Sequence, residues 1–336
     1  MAMDFWEAQH RARKQTAFYL AFFVVLTLVT ALFVEMGTRH FAPDQYNPSW
    51  PICGLVFLTQ TFLVSFFHYE SLRSLGGRHV AESMGARLVE VGSNLKEAQL
   101  LNIIEECTVA SSLPAPKVYI IDAQQINAFA AGLSPEDAAI AVTTGALDQL
   151  SREELQGVIA HEFSHIGNGD MKIGLRLAAM LAGFYWLLYV ASRILDLFEG
   201  SRNRNSSSSG RGGSSSSSSG GAGGAGGVGL FFVVVLMFFA AGIIGWILGS
   251  ILKSAISCQR EYLADASSAQ YTRNPSGLAN ALRKILHETV KDMPKKGMFY
   301  SHLYLEDHSS FSLFETHPPL RERIRALEGI PTEAAL

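Results

Sequence analysis

Four long apolar stretches constrain this chain more than anything else in it, because each needs either lipid or a large buried core around it. The first runs roughly from Ala17 to Val34 and carries no charge. The second, roughly Trp50 to Tyr69, contains Gln60 and His68, read as a residue facing another helix and a residue at the interface. The third, roughly Ile173 to Leu197, includes Arg176, Arg193 and Asp196, whereas the fourth, roughly Val228 to Leu252, is uncharged. Arg11, Arg13 and Lys14 precede the first stretch in the manner of a signal peptide. Glu35, Met36 and Arg39 follow it in place of a small-residue cleavage site, so a retained membrane helix is expected.

Between the third and fourth stretches, at about 200–227, lies SRNRNSSSSGRGGSSSSSSGGAGGAGG. Such Ser/Gly sequence cannot bury a core and reads as a flexible, solvated linker. The stretches therefore divide the chain into a membrane hairpin at 1–69, a first soluble part at 70–172, a second apolar hairpin at 173–252 and a second soluble part at 253–336. Arg11, Arg13 and Lys14 before the first hairpin, and Arg73, Arg78 and Arg87 after it, face a single Arg39 between its helices. Both flanks are thus expected in the cytoplasm. Lys172 and Lys253 flank the second hairpin on that side too, but Arg202, Arg204 and Arg211 sit in its loop and leave open whether it spans.

The net charge of -3 gives no case for a nucleic-acid partner, and Cys53, Cys107 and Cys258 are too few and scattered for a disulfide framework. In the soluble parts, Asn94 to Ser111 has helical apolar spacing, broken by Pro114 and Pro116. Lys117–Asp122, Asn127–Gly132 and Ala139–Thr144 read as short strands. Ser151 and Glu154 form a capping box that opens a helix ended by Gly167 and Gly169. The fold class expected is α+β: a small sheet between helices, joined to a bundle of transmembrane helices.

That capped helix contains His161-Glu162-Phe163-Ser164-His165. On a helix, residues four apart share a face, so both imidazoles can reach one zinc ion while Glu162 addresses a water on the same metal. Zinc acidifies that water and the carboxylate takes its proton. A catalytic zinc needs a third protein ligand. The candidate is Glu261, with Asp265 one turn on to accept the free N–H of a ligand histidine. Spacing alone also allows a surface carboxylate pair.

The runs NAFAAG, LQGVIAHEFSHIGNGDM, QREYLADASS and THPPLRERIRAL closely resemble the HtpX-type membrane metalloproteases, relatives of the zinc-dependent CAAX prenyl proteases. The resemblance implies a zincin-like catalytic domain with one zinc held by His161, His165 and Glu261, and Glu162 as general base and acid. It further implies a histidine and an arginine that stabilise the tetrahedral intermediate, matched here by His317 and Arg323, with Arg321 and Arg325 competing for the second role. It implies quality control of membrane proteins in the bacterial inner membrane, with misfolded proteins as substrates and the lipid bilayer as surroundings. The long Ser/Gly run is not part of that pattern.

Asn127, Phe129 and Ala130 in NAFAAG are the expected substrate-binding residues, because an edge strand can grip an extended substrate through its backbone. The competing reading is an internal hairpin with Phe129 in the core. Two other functions stand beside this one: an inactive scaffold or chaperone-like binder, against which the intact His161, Glu162, His165 and Glu261 set argues, and a peptidase with one specific substrate, which the same residues fit equally.

Overall fold

The computed structural model describes residues 5–73, 76–90, 94–206, 223–288 and 317–329. The middle of the expected linker, 207–222, and Thr316 of the C-terminal motif lie outside them. The described chain falls into two units: Met1–Tyr19, Glu70–Arg176 and Ile251–Leu336 in one, Leu20–Tyr69 and Leu177–Ser250 in the other.

The second unit is built from parts of four long helices: α1 (Phe5–Phe41), α2 (Ile52–Arg73), α7 (Asp170–Ser206) and α8 (Gly223–Thr272). All four are long and apolar enough to cross a membrane. Within the unit they meet at small residues and aromatic rings. A Cβ on Gly183 of α7 would lie 2.9 Å from the Thr61 carbonyl of α2, so only glycine permits that approach. Phe184 packs edge-on to Phe23. Phe22, Leu32, Phe62, Phe67 and Leu236 point outward, which suits lipid and not water. The helices also run further than the apolar stretches. Residues 200–206 and 223–227, expected as linker, are helical, and α8 passes through the expected boundary at 252 without a break. Extending a formed helix costs far less than nucleating one, so flanking residues of modest propensity join it.

The first unit is organised by a four-stranded sheet in the order β1-β2-β4-β3. β2 (Lys117–Ile121), β3 (Ala128–Ala131) and β4 (Ala139–Thr143) fall where the sequence predicts strands, while the two-residue β1 (Arg87–Leu88) is too short to signal itself. β2 and β4 are parallel; β1 and β3 pair antiparallel to their neighbours, and β3 is an edge. Alternation along the strands buries both faces. Val118, Ile140 and Val142 face α4 (Leu95–Ser111) and α6 (Arg152–Asn168), whereas Tyr119, Phe129 and Ala141 face Ala81 of α3 (Gly76–Ser83) and Met84 just after it.

Of two further helices, α9 (Pro275–Leu286) packs on α6 and α10 (Leu320–Leu327) on α9, and the short α5 (Thr144–Gln149) follows β4. The α6–α9 contact is glycine on both sides. A Cβ on Gly157 would meet Leu278 N at 2.5 Å, and one on Gly277 would meet the Glu153 carbonyl at 2.6 Å. Ser268 of α8 donates to the Gly157 carbonyl at 2.8 Å, which fixes α8 on the same helix.

Candidate metal centre

α6 begins at the predicted capping box. Ser151 N–H donates to the Glu154 carboxylate at 2.7 Å, and Glu154 N–H donates back to Ser151 Oγ. Lys284 of α9 adds a 2.7 Å ion pair to the same carboxylate. The helix does not stop at Gly167, which lies inside it; Gly169, at φ +69°, is the residue that ends it. Leu155, Val158, Ile159 and Phe163 bury one side of α6 under the sheet, and this fixes which way the next residues point.

His161 and His165 accordingly face Glu261 of α8. Their Nε2 atoms are 3.1 Å apart, and each lies 3.4 Å from an oxygen of Glu261. Two ligands at about 2.05 Å from a tetrahedral ion are separated by roughly 3.3 Å, so the three donors have the spacing such an ion requires. Among the described residues this is the cluster able to hold a metal ion. Asp265 stands 3.0 Å from His161 Nδ1, on the side away from the cluster.

Arg323 lies at the centre of the charged groups. Its side chain is wholly buried, with Nε and Nη2 on the two oxygens of Asp265 at 2.9 and 2.7 Å and Nη1 3.1 Å from Glu261. Its charge is paired with the two buried carboxylates, and Nη2 also comes within 3.5 Å of His161 Nε2. Arg321 and Arg325 are exposed and compete no longer. His317 Nδ1 is 3.2 Å from Glu261 Oε2, and its side chain retains 15% of its exposure.

β3 lies against α6. The Ala130 backbone bonds the Glu162 carboxylate, as an N–H turned out from the sheet would. Thr143 N–H bonds the Asn127 carbonyl, and antiparallel alternation then turns Phe129 and Ala131 toward β4, with Ala128 and Ala130 outward. The Phe129 ring is in the core, 1% exposed. Asn127 is buried as well, its side-chain oxygen accepting the Ala128 N–H at 2.9 Å.

Two residues absent from the sequence reading complete the surroundings. Asp170 pairs with His165 Nδ1 at 2.8 Å and with the buried Arg260. The legible signal was Asp170 directly after the helix-ending Gly169. Around the cluster, the buried or nearly buried charges are then four carboxylates (Glu162, Glu261, Asp265 and Asp170) and two guanidiniums (Arg260 and Arg323). With neutral imidazoles, the deficit equals the charge of one divalent cation, so the donor set fits such an ion. Burial lowers the pKa of His165, but hydrogen bonds to Asp170 and Glu261 outweigh it and hold the imidazole well above its usual range. His161 is raised too, Asp265 and Glu261 overcoming burial. Glu162 is raised chiefly by burial.

The model of Peptidase family M48 matches residues 94–331. A "Protease HtpX homolog" of Caldanaerobacter subterraneus subsp. tengcongensis is 35% identical over 326 residues, covering 95% of each chain. Another, from Pediococcus pentosaceus, is 44% identical over 239 residues, 70% of this chain and 74% of its own length. Among solved structures, the crystal structure of S. mikatae Ste24p aligns at 16% identity with a TM-score of 0.43, over 97% of this chain and 66% of that one.

Proposed function

The chain belongs to Peptidase family M48, and from that premise we propose that it is a zinc-dependent endopeptidase of the bacterial inner membrane, with its catalytic part on the cytoplasmic side. Its substrates on this reading are proteins or peptides, misfolded membrane proteins among them. The observation that carries the proposal is the His161–His165–Glu261 cluster with Glu162 beside it on the same helix. An inactive scaffold would gain nothing from so many buried charges, each costing several kcal/mol to desolvate.

Bound zinc would supply Lewis-acid chemistry, acidifying a water and polarising the scissile carbonyl. His161, His165 and Glu261 would hold it. Glu162, with a carboxyl pKa raised by burial, takes the proton of the attacking water and returns it to the leaving amine. His317, the partly exposed polar side chain beside Glu261, donates to the developing oxyanion. Arg323 acts through Asp265 and Glu261, holding both in place. An extended substrate segment adds beside β3, where the carbonyls of Ala128 and Ala130 face outward to accept its N–H groups. Such a grip reads backbone in preference to side chains, which suits many different substrates.

The test is zinc analysis of the detergent-purified protein together with casein cleavage, before and after chelation. About one zinc per chain, and cleavage abolished by chelator and restored by zinc, is the expected result. Metal-free protein that cleaves casein at full rate would overturn the reading.

A further inference from the structure

The machinery proposed above uses one carboxylate–arginine pair, Asp265 with Arg323, behind His161. A second pair of the same kind stands behind His165. Asp170 Oδ2 lies 2.8 Å from His165 Nδ1, while Asp170 Oδ1 takes the Arg260 guanidinium through Nε and Nη2. Arg260 Nη2 also donates to the Asn168 carbonyl at 2.8 Å, in the last turn of α6. The side chains of Asp170 and Arg260 keep only 10% and 6% of their exposure.

An acid in the first turn of a helix is ordinarily explained by the helix dipole, and Asp170 is the first residue of α7. The dipole, however, asks for neither an aimed carboxylate nor a buried arginine. Burying both charges is costly unless each is fully paired, and here each oxygen of Asp170 has its own partner. The backbone is shaped to the same end. Gly169 at φ +69° turns the chain so that Asp170 comes back alongside His165, and no neighbouring atom lies where a Cβ would stand, so conformation and not crowding selects glycine. Arg260, for its part, immediately precedes Glu261 on α8. The pair therefore ties the segment bearing His165 to the segment bearing Glu261.

We propose that Asp170 is a positioning residue for His165. It accepts the Nδ1–H and leaves the Nε2 lone pair directed at the cluster, and Arg260 holds Asp170 there while fixing the stretch of α8 that presents Glu261. Each histidine thus has its own carboxylate and each carboxylate its own arginine. The inference rests on the reading of the cluster as a zinc site.

The test is zinc affinity of the full chain in detergent, by competition with a chromophoric chelator, for wild type, D170A, D170N, R260A and D170A/R260A. Melting temperatures of the metal-free forms and visible spectra of the cobalt-loaded forms accompany it. D170A is expected to bind zinc about 10–100-fold more weakly and to shift the cobalt bands. D170N, nearly isosteric and still an acceptor, is expected to fold as wild type and lose less. The double variant should match D170A within about threefold, because Arg260 acts through Asp170. Wild-type zinc affinity in D170A, with only its melting temperature lowered, would reduce Asp170 to a helix-dipole role and overturn the proposal. Multiplying losses in the double variant would overturn the part given to Arg260. Failure of wild type itself to bind zinc would instead overturn the function on which the inference rests.

Discussion

Gly157 of α6 and Leu278 of α9 meet backbone to backbone, so closely that a Cβ on Gly157 would lie 2.5 Å from the Leu278 nitrogen. α9 follows α8 in the chain, and Ser268 of α8 bonds the carbonyl of Gly157 itself. Gly157 is thus the point at which the helix of the two histidines and the helix of Glu261 are held in register.

Gly157→Ala should therefore force α9 away from α6, where no flexible side chain can yield. Overpacking of this kind costs about 1–3 kcal/mol, and the upper end is expected here. Thermal melting in detergent checks it. An unchanged melting temperature would mean that the contact is looser than described.

Glu162→Gln and Glu261→Ala should part company. Glu162 is not among the three clustered donors, so its amide variant should keep zinc and lose cleavage. Glu261→Ala should lose zinc and cleavage together. Metal content by atomic spectroscopy beside casein cleavage separates the two. Full zinc and full activity in Glu261→Ala would show that another residue completes the site.

Zinc uptake should release protons. His161 and His165 have pKa values raised above the ordinary 6.5 in the metal-free protein, yet both must be neutral to bind a metal. The stability their protonation gives the metal-free form is full below that value and is lost as pH rises through the raised one. Zinc affinity climbs over the same range. Calorimetric titration near neutral pH in buffers of different ionisation enthalpy should show net proton release on zinc binding. A binding enthalpy independent of buffer would contradict this.

The capping carboxylate gives a pH dependence of opposite sign. Burial pushes the Glu154 pKa up, but Lys284 and the Ser151 N–H outweigh it and leave it below the usual 4.5. Its contribution is complete above 4.5 and lost as pH falls through the depressed value. Glu154→Gln should cost about 1 kcal/mol at neutral pH and progressively less in acid. Equal melting differences between the two proteins at pH 7 and pH 3 would exclude the mechanism.

The parts of this fold legible in the sequence are those specified locally. Ser151 and Glu154 mark their helix because a capping box is closed within four residues. Lys117–Ile121 and Ala139–Thr143 mark their strands by short apolar runs rich in β-branched residues. Glu261 and Asp265 were readable because a helical turn brings them to one face. What was not legible depends on distant chain. Arg260 meets Asp170 across 90 positions. The inward turn of Phe129 is fixed by its pairing with Ala141 and by its packing with Ala81 and Met84. The burial of Arg323 follows from acids on another helix, so its sequence neighbours Arg321 and Arg325 look equivalent to it until the fold separates them.

The order of these groups along the chain also has a consequence for biosynthesis. His161 and His165 leave the ribosome together as half a site, Glu261 follows 96 residues after His165, and His317 and Arg323 come last of all. At roughly 5–20 residues per second, a nascent chain carries the two histidines for several seconds before the carboxylate that joins them, and longer before the arginine that fixes that carboxylate. On the function proposed, competence to cut waits for the chain to extend past Glu261, and a product of translation truncated before it carries the motif without the carboxylate that completes the cluster.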